Sequence, residues 1–287
     1  MAKLTVEHTT IYRYGEPVML GEHRMMFRPR DSHDLRLIDT SLTIEPRPAE
    51  LRWLHDPFDN SVAIATFEGS TSRLSFESTV TLEHFESSPP DYQLERHART
   101  YPFRYSNDDF ANLNRALARE EPDTDVDEWA LQFLDASDTT ATMKILRAIT
   151  YGIREQFIYT RRIEKGVQTP SETLSRRRGS CRDFAVLMMD AARSLGIAAR
   201  FVSGYIYMPG HSGFNGGGST HAWMQAYLPG AGWIDFDPTN SIVGNRNLIR
   251  VAVAWSPDQV LPLWGTYEGS PNLFVEMNVS VSVTEAF

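Results

Sequence analysis

A single cysteine in 287 residues excludes an internal disulfide, and with it the small cross-linked scaffolds of secreted domains. It also excludes cysteine-rich zinc sites, and the eight histidines are scattered, so no metal or cofactor is expected. Lysine is nearly missing as well, occurring only at Lys3, Lys144 and Lys165. The compositional bias of a GC-rich genome explains that shortage better than any function does. Basic charge is outweighed, with 28 Lys and Arg against 37 Asp and Glu, a net charge of −9 and a pI near 5.4. That balance argues against a general nucleic-acid binder. No stretch approaches the ~20 apolar residues of a membrane span, so no membrane association is expected. Met1 to His8 lacks the apolar core of a signal peptide. A lone thiol fits a reducing compartment, and the expected location is cytoplasmic.

What is present is ordinary globular composition, 41% hydrophobic and 23% charged, enough for one large domain or two modest ones. There is no internal repeat. Residues 1–90 read as an N-terminal β domain. Leu4–Tyr14 partly alternates, Gly15-Glu16-Pro17 reads as a turn, and strands fit Glu22–Arg28, Leu35–Glu45, Leu51–Asp56, Ser61–Phe67 and Arg73–His84. Short strands with regular turns predict a small sandwich or barrel. Ser87-Ser88-Pro89-Pro90-Asp91 breaks the pattern, and residues 91–287 read as a second unit. There, helices fit Asp125–Asp135, Thr139–Phe157 with Ser137 and Asp138 as caps, and Thr169 to about Arg177. Thr169-Pro170-Ser171-Glu172 combines a capping box with Pro at the first helical position. Strands fit Thr220–Leu228, Trp233–Asp237, Leu248–Trp255 and Asn272–Val283. The glycine-rich loop Pro209–Ser219 reads equally as a lid or an ordinary surface loop.

The cysteine sits where the pattern turns helical. In Gly179-Ser180-Cys181-Arg182-Asp183-Phe184, Cys181 opens a run whose apolar residues Phe184, Leu187, Met188, Ala191, Ala192 and Leu195 share one helical face. Gly196 ends the run, and Ile197–Tyr205 reads as a strand. A thiol at a helix N-terminus lies among unpaired N–H groups that favour its thiolate form. On its own the stretch is equally consistent with an inert buried cysteine.

His221, Asp235 and Asp237 decide between the two. Pro229–Gly232 reads as the turn of a hairpin that brings positions 235–240 back against 221–226. A simple register sets Asp237 diagonal to His221, and a bulge would set them side by side. A helix-borne nucleophile, a strand-borne base and an acid to orient the base is the logic of a catalytic triad. Each residue has a plain alternative: a hydrogen-bonded strand histidine, and an aspartate that merely ends a strand before Pro238. Their joint occurrence in the order Cys, His, Asp argues against coincidence.

Three motifs resemble the transglutaminase-like superfamily: Gly179–Ala185 running through Leu195–Tyr205, Thr220-His221-Ala222-Trp223, and Gly232-Trp233-Ile234-Asp235-Phe236-Asp237-Pro238-Thr239. The start resembles the N-terminal β region of bacterial members through His8–Tyr14, Arg28-Pro29-Arg30 and Asp56-Pro57-Phe58-Asp59-Asn60. That branch is often labelled cysteine protease. The resemblance implies an α+β protein: a sandwich-like N-terminal β domain, then a papain-like core with the Cys helix packed on an antiparallel sheet. It implies Cys181 as nucleophile, His221 as base and Asp237 as orienting acid, with Asp235 as second choice. The Cys181 N–H is then the first oxyanion donor, and the second is not legible. No acidic loop with calcium spacing matches the calcium sites of animal relatives. Trp223 and Trp233 are expected in the core. Arg176-Arg177-Arg178 with Arg182 favours either a thiolate or an acidic substrate, or is a solvated helix face.

The expected activity is attack of Cys181 on a peptide or glutamine carboxamide carbonyl through a thioester, with hydrolysis favoured over transamidation. A peptide or protein is the expected partner. A non-catalytic peptide-binding scaffold is the rival, and it needs none of the three residues.

Overall fold

The computed structural model describes residues 2–86, 92–136, 139–161, 166–208, 218 and 220–285. The expected boundary at Ser87–Asp91, the caps Ser137 and Asp138, and the loop Pro209–Ser219 (Gly218 apart) lie outside them.

The N-terminal β domain is built on one long strand, β1 (Ala2–Met25). Leu4, Val6, His8 and Thr10 alternate inward along it, as a half-buried strand requires. The remaining strands are β2 (Leu35–Glu45), β3 (Glu50–His55), β4 (Ser61–Thr66) and β5 (Ser70–His84), in the order β2-β5-β1-β4-β3. The expected turn at Gly15-Glu16-Pro17 does not form. The ladder to β5 is interrupted between Arg13 and Val18, and the chain runs straight on. An irregularity of this kind tolerates a proline, which has no N–H for a ladder. Beyond it β1 changes neighbours, pairing with β4 from His23 to Met25. The sheet therefore curls around Val18, Leu20, Met25, Ala63, Leu74 and Phe76.

The second unit carries helices α1 (Asn107–Leu117), α2 (Thr124–Leu131), α3 (Thr142–Gln156), α4 (Pro170–Arg176) and α5 (Cys181–Ser194). Two short ladders fasten them: β6 (Thr100–Tyr101) with β7 (Thr140–Ala141), and β8 (Ile158–Tyr159) with β9 (Arg178–Gly179), the latter parallel. The capping box on α4 is formed, Thr169 bonding to the Glu172 N–H and Glu172 returning to Thr169. Helix α1 falls in a stretch that reads as mixed and polar. It buries only Leu113 and Ala116, too thin an apolar stripe for periodicity to reveal.

Five antiparallel strands form the core sheet: β10 (Ala199–Ile206), β11 (His221–Leu228), β12 (Gly232–Asp237), β13 (Ile242–Val243) and β14 (Leu248–Ala254), in the order β13-β12-β11-β10-β14. Helix α5 packs on β11 and β10. Its predicted face, Phe184, Leu187, Met188, Ala191 and Ala192, is buried against Phe201, Met224, Ala226 and Phe236. Truncating a fully buried Phe of this kind costs about 3–5 kcal/mol. The opposite face, with Tyr205, Ile249 and Val251, packs on Leu4, Val6, Val80 and Leu82 of the N-terminal sheet. The layers are thus helices, core sheet and N-terminal sheet.

The last strands, β15 (Leu263–Glu268) and β16 (Phe274–Glu285), do not stay with residues 91–262 as expected. Both return to pair with β1, β16 along its first half and β15 along its second. The reason is pattern: β16 continues the inward alternation of β1, with Val281 opposite His8 and Val279 opposite Thr10.

Candidate active site

Cys181 is the first residue of α5, with Ser180 as N-cap. Asp183 reaches back to this turn. Its Oδ2 accepts from the Ser180 N–H at 2.7 Å and the Ser180 hydroxyl at 2.8 Å, and its Oδ1 accepts from the Gln168 N–H at 2.8 Å. The incoming chain is held by the β8–β9 ladder, where Tyr159 pairs with Gly179. Only glycine fits there, since a Cβ on Gly179 would lie 2.8 Å from Cβ of Asp183. These contacts fix where the thiol emerges, and they place Tyr159 beside it.

His221 opens β11, paired with Gly204 of β10. The hairpin register joins Met224 to Phe236 and Gln225 to Asp235, without a bulge. Asp237 is therefore diagonal to His221, and its Oδ2 lies 2.8 Å from His221 Nε2. Asp237 is itself held by the Thr239 N–H on Oδ1 at 2.9 Å and by the Asn240 amide on Oδ2 at 2.9 Å. Asp235 faces different partners: the Trp223 indole at 2.6 Å and the Gln225 amide at 2.8 Å. Burial pushes its pKa up, against the nearby Arg250 charge and those two hydrogen bonds. The structure thus brings Asp237 to His221 and leaves Asp235 bracing the hairpin.

His221 is fully enclosed. Burial disfavours its charge, but the Asp237 carboxylate, its hydrogen bond and the adjacent Cys181 together raise its pKa above the ordinary imidazole value. With Nε2 committed to Asp237, Nδ1 has no nitrogen or oxygen partner, and Cys181 is the neighbour whose hydrogen bond and charge act on the ring. A buried nitrogen left unpaired is uncommon.

Cys181 and His221 share a cavity of about 250 Å³. One wall comes from the second unit, with Tyr159, Phe201, Ser203 and Ala222. The other comes from the N-terminal sheet: His8, Thr10 and Tyr12 of β1, Leu263 of β15, and Met277 and Val279 of β16. His8 is a structural member of that wall. Its Nδ1 lies 2.9 Å from the Tyr205 hydroxyl and its Nε2 lies 3.0 Å from Thr10 Oγ1. Burial lowers its pKa to about 4, so it faces the cavity uncharged. Tyr159, pushed up to about 12 by burial and the Cys181 charge, keeps its proton.

Trp223 and Trp233 lie outside the lining; Trp223 is fully buried as expected, whereas Trp233 is only partly buried. Tyr159, Arg161 and the β1–β16 wall are not legible in the sequence, because the contacts that place them are long-range. Among the described residues no group of three or more His, Cys, Asp or Glu side chains is arranged to hold a metal ion.

A bacterial transglutaminase-like N-terminal region matches residues 4–83, and the transglutaminase-like superfamily core matches residues 129–238. An uncharacterized protein of Mycobacterium tuberculosis is 30% identical over 298 residues, covering 96% of this chain and 91% of its own. One from Mycobacterium leprae is 36% identical over 115 residues, covering 39% of this chain and 40% of its own. In fold, the chain is similar to a solved structure called a "Putative Cysteine Protease" from Cytophaga hutchinsonii, with a TM-score of 0.70 and 18% identity, covering 100% of this chain and 92% of that one. The chain belongs to the transglutaminase-like superfamily, in a form with an N-terminal β domain.

Proposed function

We propose that the protein is a cysteine-nucleophile acyl-transfer enzyme that hydrolyses peptide or carboxamide bonds. The observation that carries this reading is His221, held at Nε2 by Asp237 while its unpaired Nδ1 is free for the Cys181 side of the cavity. Sγ of Cys181 attacks the carbonyl carbon, and the thiol proton resides on His221 Nδ1. The tetrahedral intermediate collapses as the leaving amine takes that proton, giving a thioester on Cys181. Water then attacks, its proton passes to His221, and the C–S bond breaks to release the acid and restore the thiol. Asp237 holds the tautomer and stabilises the imidazolium throughout. The N–H of Cys181, at the first turn of α5, and the Tyr159 hydroxyl are the donors assigned to the oxyanion.

Hydrolysis is favoured over transamidation on the chemistry of the lining. A carboxylate would hold a protonated amine, and among the described residues none lines the cavity. Water, at ~55 M, needs no such site. The reading is tested by incubating the protein with a peptide library and a glutamine peptide, with and without a primary amine, and Cys181→Ala as control. Cleavage that vanishes in the variant is expected. Amine incorporation outrunning hydrolysis at millimolar amine would make the protein a transglutaminase in activity. No turnover with either would favour the peptide-binding scaffold. The protein is proposed to act in the cytoplasm, where a lone thiol stays reduced.

A further inference from the structure

The chain is acidic, yet the cavity around Cys181 is not. Among the described residues its lining holds two guanidinium groups, Arg161 and Arg182, and no Asp or Glu, in a protein of net charge −9. Several other arginines are paired with carboxylates: Arg13 with Glu276, Arg119 with Asp127 and Asp190, Arg176 with Glu172, Arg250 with Asp34. Arg177 lies over the Phe157 ring and bonds to Gln156. Among the described residues Arg161 and Arg182 have no carboxylate partner. Both charges act on Tyr159, as do Cys181 and the Asp237 carboxylate held by His221, so the two cations and the thiol lie around one phenol.

Two cations without a carboxylate partner, Arg182 half-buried and Arg161 exposed, concentrate anions beside the nucleophile. The facing wall offers nothing charged to compete: His8 is neutral, and Thr10, Leu263, Met277 and Val279 are uncharged.

We infer that the acyl donor of this enzyme is anionic, a peptide or amide whose carboxylate is held by Arg161 and Arg182 while its apolar part lies on the β1–β16 wall. This rests on Cys181 being the nucleophile of the proposed reaction. It also accounts for a cavity that shuns protonated amines.

The test uses two thiol reagents of nearly the same shape and opposite demand, iodoacetate and iodoacetamide, with Cys181 alkylation followed by intact mass. Rates are expressed relative to the same reagents on N-acetylcysteine. Wild type is expected to favour iodoacetate, and the preference should fall about tenfold in Arg161→Ala/Arg182→Ala. It should also fall between about 50 mM and about 500 mM salt, as screening of an open cleft demands. Arg161→Lys/Arg182→Lys, which keeps the charge, should retain most of it. Thermal melting confirms that each variant is folded. An iodoacetate-to-iodoacetamide ratio that is the same in wild type and the alanine double variant overturns the anionic donor while leaving Cys181 reactive. Failure of both reagents to label folded wild type removes the nucleophile itself, and the proposal with it. With capped peptide amides, the carboxylate form should exceed its carboxamide counterpart in kcat/KM, and the double variant should abolish that difference.

Discussion

The Asn60 carboxamide closes onto the backbone of Val253, with Nδ2 donating to the Val253 carbonyl at 2.8 Å and Oδ1 accepting from the Val253 N–H at 2.9 Å. Val253 lies on β14, an edge of the core sheet, so one side chain of the N-terminal domain does the work of a missing strand. Asn60 is in turn gripped by Asp56, which accepts its N–H at 2.8 Å and its amide at 2.8 Å. Asn60→Ala leaves both Val253 groups buried and unpaired, a loss of about 2–4 kcal/mol. A lower melting temperature is expected from calorimetry. Asn60→Asp should do as badly, since a carboxylate cannot donate to the carbonyl. An unchanged melting temperature in either would mean that packing and the other polar contacts between the domains, such as His8 with Tyr205 and Arg250 with Asp34, suffice to hold them together.

Stability should fall on the acid side through His8. Its pKa is about 4 in the folded chain and near 6.5 when unfolded. Between those values the unfolded chain binds the proton and the native chain does not, so stability is lost as pH drops below ~6.5. From pH 7 to pH 5 this one group removes about 2 kcal/mol. His23 and His84 are lowered by burial in the same sense. His221 has the opposite sign: its raised pKa contributes stability that is present at neutral pH and lost as pH rises through its folded value. Urea unfolding of His8→Gln across pH 5 to 7 should show a shallower slope than wild type. A parallel slope would place the acid sensitivity elsewhere.

Much of this was legible because it is local. Cys181 at a helix start follows from the Gly-Ser before it and the 3.6-residue stripe after it, and α5 begins at Cys181. The diagonal of His221 and Asp237 follows from a four-residue turn and a period of two. Alternation alone could not separate Asp235 from Asp237, since both share a face. The difference lies in what each side chain reaches, Trp223 and Gln225 for one and the diagonal His221 for the other. The return of β15 and β16 to β1 was out of reach for the same reason. Asn272–Val283 reads as strand from its own residues, but its partner lies some 260 to 280 residues earlier. The function of the N-terminal sheet as a wall of the cavity depends on that return.

Tyr159 supplies a sharper test of the site than the cavity shape does. Burial and the neighbouring Cys181 charge hold its pKa near 12, so it is a hydrogen-bond donor at working pH. As an oxyanion donor, Tyr159→Phe should lower kcat by roughly tenfold to a hundredfold with little change in KM. Alkylation of Cys181 by iodoacetamide, which builds no oxyanion, should proceed at nearly the wild-type rate. Equal losses in both assays would instead assign Tyr159 to positioning the thiol.

The two aspartates of β12 should part company when each is made neutral. Asp237→Asn keeps the shape of the side chain but removes the charge that stabilises the imidazolium, and its amide cannot accept the His221 Nε2 proton where it presents nitrogen. The His221 tautomer is then wrong for taking a proton from Cys181, and kcat should drop by about three to four orders of magnitude. Asp235→Asn touches neither Cys181 nor His221. It weakens acceptance from the Trp223 indole and the Gln225 amide, at a cost of about 1–3 kcal/mol of stability. Burial already favours the neutral form of Asp235, which limits what neutralisation removes there. Its kcat should stay within about tenfold of wild type. Steady-state kinetics and a melting curve on each variant separate the roles: one lowers turnover with the fold intact, the other lowers the melting point with turnover intact. A crippled Asp235→Asn beside an active Asp237→Asn would reverse the assignment. It would mean that His221 swings to Asp235 during turnover, breaking the 2.8 Å bond seen at rest.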